Sequence, residues 1–129
     1  MKKILLSTLL GLGLLAALPA GADSPKGDAE RGRMVFAACR TCHYPEKQVG
    51  NHNGPSLYAI FGRKAGTREG FEYYSETMKK ADFVWTPELL DLWLANPRGF
   101  LPGSSMVFVG LPNAQDRADL IEYLKQFHD

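Results

Sequence analysis

Five consecutive residues, Cys39-Arg40-Thr41-Cys42-His43, constrain this chain more than any other stretch. C-x-x-C-H is the spacing of a c-type haem attachment site. Two thiols three apart can each bond one vinyl group of a haem, and the adjacent imidazole then meets the iron as its proximal ligand. Other readings of the same residues leave something over. A structural zinc site needs four Cys or His ligands, usually as two pairs. The chain has two cysteines, and His52 and His128 show no paired spacing. A thioredoxin-like pair sits on a βαβ pattern, and no strand pattern precedes Cys39. A plain disulfide leaves His43 unexplained. Haem attachment accounts for all three side chains with nothing missing.

The chain opens with the pattern of an export signal. Lys2 and Lys3 precede a Leu-rich run from Ile4 to Leu18, and Ala20-Gly21-Ala22 supplies small residues for cleavage. The expected cut follows Ala22, so residues 1–22 are a secretory signal peptide and 23–129 one small domain. An uncleaved membrane anchor is the alternative, but the run is short for a span and contains Gly11 and Gly13. Either way the domain is expected outside the cytoplasm, in the periplasm. The signal takes two of the 15 Lys+Arg and none of the 14 Asp+Glu, leaving a net charge of −1. That charge does not suit nucleic acid or an anionic membrane surface.

Helical signals recur through the domain, and no period-2 run appears. Asp28 can cap a helix reaching Cys39, with Val35, Phe36 and Cys39 on one face and Arg31 and Arg33 towards water. Gly32 lies mid-helix, which is either simple tolerance or the mark of a backbone crossing closely there. A loop is expected over 44–54 and another over 63–70. Ser75 to Lys80 reads as a short helix. Thr86, Pro87 and Glu88 open a clear one, with Leu89, Leu90, Trp93 and Leu94 as its stripe and Asn96-Pro97 as its stop. The last begins near Asn113 and buries Leu120, Ile121, Tyr123, Leu124 and Phe127, with Asp119, Glu122, Lys125 and Gln126 facing out. The fold class is all-α.

A haem held by His43 has a free sixth position unless the chain fills it. Met1 leaves with the signal, Met34 is too near the attachment site, and Met78 sits in the polar context Glu-Thr-Met-Lys-Lys. Met106 follows the turn Pro102-Gly103-Ser104-Ser105 and precedes the apolar Val107-Phe108-Val109. By composition alone a methionine is more often core filler.

From Gly27 to Phe127 the chain resembles class I c-type cytochromes, of the mitochondrial cytochrome c and bacterial cytochrome c2 kind. The stretches that carry the resemblance are CRTCH, GPSLYAIFGRKAGT, VWTPELLDLWLANP, LPGSSMVFVG and RADLIEYLK, in that order. It implies the small cytochrome c fold, helices and loops around one haem c bonded to Cys39 and Cys42. It makes Met106 the distal ligand opposite His43. Pro55 matches the proline whose carbonyl accepts the imidazole N–H. Arg63, Tyr73, Trp85 and Ser104 match residues about the haem propionates, and Phe108 the aromatic at the haem edge. Gly32 and Phe36 match residues that cross the last helix at Leu120 and Tyr123.

Two departures stand out. Trp93 occupies the place of a tyrosine beside the methionine sulfur. The lysine ring of mitochondrial members is replaced by Ala38, His52, Gly99, Ser105, Pro112 and Asn113, with Arg98 the basic survivor. Arg40, Lys47 and Lys64 are the cations that could rebuild a patch. The function implied is a monomeric one-electron carrier and not an enzyme. Its expected donor is a membrane cytochrome complex, and its acceptor an oxidase, a reductase or a photosynthetic reaction centre. The competing activity is that of a haem peroxidase, which needs the Met106 bond to open and an acid–base residue beside it.

Overall fold

A computed structural model describes residues 24–129. The expected signal peptide and its cut after Ala22 lie outside the described residues. Among the described residues five α-helices follow in order: α1 Ala29–Val35, α2 Glu76–Lys79, α3 Pro87–Ala95, α4 Pro97–Phe100 and α5 Ala114–Leu124. Long loops join them, and the sole sheet-like pairing among the described residues is one antiparallel bridge, Lys64 to Val84. The all-α expectation holds. Among the described residues no helix is long and apolar enough to cross a membrane.

Side-chain caps set where the helices begin. Asp28, Ser75, Thr86 and Asn113 each accept from a backbone N–H of the first turn, satisfying donors that have no partner inside the helix. Two boundaries differ from expectation. α1 stops at Val35, and a 3-10 turn over Phe36–Ala38 carries the chain to Cys39. The tighter winding turns the chain directly into the attachment motif. Asn96 does end α3, but its side chain then accepts from the Gly99 N–H and opens α4, with Pro97 at the first position. The same proline that cannot continue one helix is well suited to start another.

The crossing of α1 and α5 is the main helix contact, and it explains Gly32. A Cβ there would lie 1.9 Å from the Asp119 carbonyl oxygen and 2.8 Å from Cβ of Tyr123. Only a hydrogen fits between the two backbones. Phe36 and Tyr123 then meet at 5.5 Å between ring centroids, and Phe36, Leu120 and Leu124 are buried in the core.

Asp119 corrects the expected polar face of α5. It is 1% exposed. Its carboxylate accepts from the Asp28 backbone N–H at 2.7 Å, from Arg31 Nε at 2.7 Å and from Gln115 Nε2 at 2.8 Å. Arg31 therefore does not simply point to water; it folds over the crossing and covers this acid. The Arg31 hydrogen bond, with those of Gln115 and the Asp28 N–H, holds the Asp119 carboxyl down at about 2. On the far side of α5, Arg117 Nε donates to Asp91 of α3 at 2.7 Å and its guanidinium to the Leu111 carbonyl at 2.8 Å.

Because the folded carboxyl is more acidic than an unfolded one, its contribution is fully present above the unfolded value. It is lost as pH falls towards about 2. Asp119→Asn should lower the urea midpoint at neutral pH. The gap to wild type should close as the medium is acidified, measured by far-UV circular dichroism. A gap that stays constant down to the acid limit would contradict the assignment.

Candidate haem site

The attachment motif is held as a tight turn. Cys42 and His43 both donate their backbone N–H to the Cys39 carbonyl, at 3.1 and 2.9 Å. The following loop is pinned back on it, with the Gly54 N–H donating to the Cys42 carbonyl at 2.9 Å and the Leu57 N–H to the Tyr44 carbonyl at 2.9 Å. His43 Nδ1 lies 2.8 Å from the Pro55 carbonyl oxygen. With the proton on Nδ1, that bond fixes the tautomer and leaves Nε2 as the free lone pair. Burial pushes the imidazole pKa down against the opposing Pro55 bond, which favours the neutral, ligating form.

Gly54 lies flat against this ring. A Cβ there would sit 2.4 Å from Cε1, 2.7 Å from Nδ1 and 2.9 Å from Nε2 of His43. The glycine is required by the imidazole.

Cys39 and Cys42 are not bonded to each other. Burial, and then the neighbouring Cys42, raise the Cys39 thiol to about 11. A redox-active C-x-x-C has the opposite character, with a thiol made acidic by its surroundings. Nor do three or more His, Cys, Asp or Glu side chains gather as a metal cluster among the described residues. Neither feature favours the thioredoxin or the zinc reading.

Cys39, Cys42 and His43 border a cavity of about 390 Å³, within the range of roughly 300–1,000 Å³ for cofactor pockets. Pro55, Arg63, Tyr73, Trp85, Trp93, Ser104, Met106 and Phe108 line the same cavity. Every expected cofactor-binding residue is therefore brought to one place, from segments as far apart in the chain as Cys39 and Phe108. The apolar wall is completed by Phe36, Leu57, Ile60, Leu90, Leu94, Leu120 and Leu124, so the α1–α5 crossing is also its floor. A thiol pair, an oriented imidazole in a cradle that a Cβ would fill, a thioether and a largely apolar wall fit a covalent haem.

The individual placements are informative. Arg63 donates to the Tyr58 and Ser56 carbonyls at 2.8 and 2.9 Å. Ser104 Oγ accepts from the Met106 backbone N–H at 3.3 Å, steadying the methionine's turn. Trp85 and Trp93 are buried and meet edge-on at 5.8 Å, with Phe100 against both. Phe108 is half-buried between Val107 and Val109, which are 89% and 92% exposed.

Two residues correct the sequence reading. Tyr73 lines the cavity but is 80% exposed. The tyrosine inside is its neighbour Tyr74, half-buried, with its hydroxyl accepting the Arg68 backbone N–H at 3.3 Å. Adjacent tyrosines give no periodic signal to choose between them. Met78, assigned to a polar context, is 8% exposed and lines the cavity. α2 is a single turn, so its polar neighbours take the other sides.

The cytochrome c family's sequence model matches residues 29–128. Cytochrome c of Chlamydomonas reinhardtii is 45% identical over 106 residues, covering 81% of this chain and 94% of its own. Cytochrome c of Ginkgo biloba is 41% identical over 105 residues, covering 81% and 92%. Among solved structures, cytochrome cH from Methylobacterium extorquens superposes with a TM-score of 0.72 at 38% identity, over 78% of this chain and 99% of that one.

Gly54→Ala should push the His43 ring off the Pro55 carbonyl and cost about 1–3 kcal/mol, the usual penalty of overpacking. Guanidinium denaturation of the haem-loaded protein measures it. A variant as stable as wild type would mean that the ring is free to move.

Proposed function

The chain belongs to the cytochrome c family and carries one covalently attached haem c, and on that premise we propose that it is a periplasmic one-electron shuttle between redox protein complexes. Family membership makes it an electron carrier; the ligand set, compartment and partners are our reading. The observation that carries it is the meeting of His43 and Met106 on one apolar cavity beside Cys39 and Cys42.

When bound, the haem supplies an iron that alternates between ferrous and ferric. His43 would hold it through Nε2, its basicity raised by the Pro55 bond. Met106 would also hold the iron, through a soft thioether that favours the ferrous state and raises the potential. Cys39 and Cys42 would anchor the macrocycle so that neither ligand needs to hold it. The apolar walls would exclude water from the bound group, which limits what must rearrange when charge changes. Trp93, against Trp85 and Phe100, fixes the wall where the resemblance would put a tyrosine. Of the residues lining the cavity, none is Asp or Glu and the only histidine is His43. An acid–base partner for peroxide is thus not among them, which favours a carrier over an enzyme.

Export to the periplasm is supported by the lysine-led apolar run and Ala20-Gly21-Ala22. We take the working form to be a monomer that meets its membrane complexes transiently.

Met106→Ala should keep the covalent haem and lower the reduction potential. Cyanide binding to the ferric protein should accelerate by about a hundredfold, equivalent to removing a barrier of about 2.7 kcal/mol. Equal cyanide rates in wild type and variant would mean that Met106 is not a ligand.

Surface charge bears on partner choice. Arg40 is paired with Glu46, Lys47 with Asp129, and Lys64 with Asp82 at 2.8 Å. Each cation that could replace the lysine ring is thus offset by a carboxylate. The mouth is instead bordered by Val107, Phe108 and Ser105. Steered association needs a field of one sign, so docking here would rest on a small apolar contact. Stopped-flow electron transfer with the natural partner should slow by less than about threefold from low to physiological salt, where steered pairs fall steeply. A drop of about tenfold or more would contradict neutral docking.

A further inference from the structure

At the cavity wall formed by Arg63 and Tyr74, and just behind it at Arg68, stands positive charge that is in no ion pair among the described residues. Arg31, Arg40 and Arg117 each pair with an acid. Arg63 and Arg68 are in no ion pair among the described residues. The Arg63 guanidinium is oriented by two carbonyls, which accept its hydrogens without neutralising it. Arg68 Nε is buried with no hydrogen-bond partner, alone in this among buried side-chain nitrogens and oxygens of the described residues. Its backbone N–H is bound to Tyr74 Oη at 3.3 Å. That leaves the tyrosine's own hydrogen free to donate, and both Tyr74 and Arg63 line the cavity.

The ionisable groups that act on one another here are Arg63, Arg68 and Tyr74. Burial, and the like charge of Arg68, push Arg63 below its ordinary value in spite of Tyr74. Two guanidiniums so placed repel each other, and a buried charge without a counter-charge is costly. An anion entering the cavity would relieve both. A haem brings carboxylates of its own.

We propose that Arg68 completes, with Arg63 and Tyr74, the seat for one haem carboxylate, and that it thereby keeps the reduction potential independent of pH. The proposal rests on the haem reading above and adds a positioning residue to it. Two cations and a hydroxyl donor hold a carboxylate ionised well below neutral pH. A charge that does not titrate adds a constant to the potential. The Arg68 cation itself disfavours the more positive ferric state and raises the potential. Without it the carboxyl becomes a weaker acid, and more so in the ferrous protein. Uptake of an electron then draws a fraction of a proton from solvent, and the potential falls with rising pH across that window.

The test is spectroelectrochemical titration of the holo-protein and of Arg68→Gln and Arg68→Lys, from about pH 5 to about pH 8, the span in which a weakened carboxyl would titrate. Wild type should be flat. Arg68→Gln should show a lower potential that acquires a slope, and Arg68→Lys should recover the flat profile because it restores the charge. Arg68→Gln with the wild-type potential and profile would overturn the proposal, as would Arg68→Lys behaving like Arg68→Gln. Cyanide binding separates the two levels of the reading. If it stays slow in Arg68→Gln while the potential moves, the carboxylate seat is supported. Fast binding in that variant overturns it, since the potential would then follow loss of Met106. Fast binding already in wild type removes the ligand set on which the proposal stands.

Discussion

The imidazole of His43 is the fixed point to which the rest of the structure is fitted. It is held on one edge by the Pro55 carbonyl at 2.8 Å and on one face by a residue that must lack a side chain, Gly54. Those two constraints explain the loop from Tyr44 to Pro55, which is otherwise polar and without regular structure. Its backbone bonds run back to Cys42 and Tyr44, so the loop is a clamp on the attachment turn. The 3-10 turn before Cys39 and the clamp after His43 together aim three side chains into one cavity.

The floor of that cavity depends on a second close approach. α1 and α5 cross where Gly32 meets the Asp119 carbonyl, and the buried Asp119 carboxylate joins Arg31, Gln115 and the start of α1. Removing one partner of a buried ion pair costs more than the pair contributes against an apolar replacement. Its value here is therefore in fixing the crossing. The crossing in turn sets Phe36, Leu120 and Leu124 against the cavity.

Much of this was legible in the chain itself. Caps at Asp28, Ser75, Thr86 and Asn113 carry local signals, and local signals survive folding. The C-x-x-C-H spacing is chemically specific, and the conjunction of segments from Pro55 to Phe108 followed from resemblance to a family. What escaped were features decided by tertiary contact. Asp119 reads as a surface residue on a helical wheel and becomes buried because Arg31 arrives from the other end of the chain. Tyr73 and Tyr74 are adjacent, and only the course of the loop determines which turns inward. Met78 has polar neighbours in sequence and apolar ones in space. Arg68 carries no motif, and its orphaned Nε is visible only once the surrounding atoms are in place.

The central claim is that one haem iron is held between His43 and Met106. It is tested most directly by the optical spectrum of the purified ferric protein, in the red region where an iron–thioether bond absorbs weakly. The band should be present at neutral pH and vanish on reduction. A ferric protein that carries covalent haem but lacks the band would contradict the assignment of Met106 and reopen the sixth position to solvent or substrate.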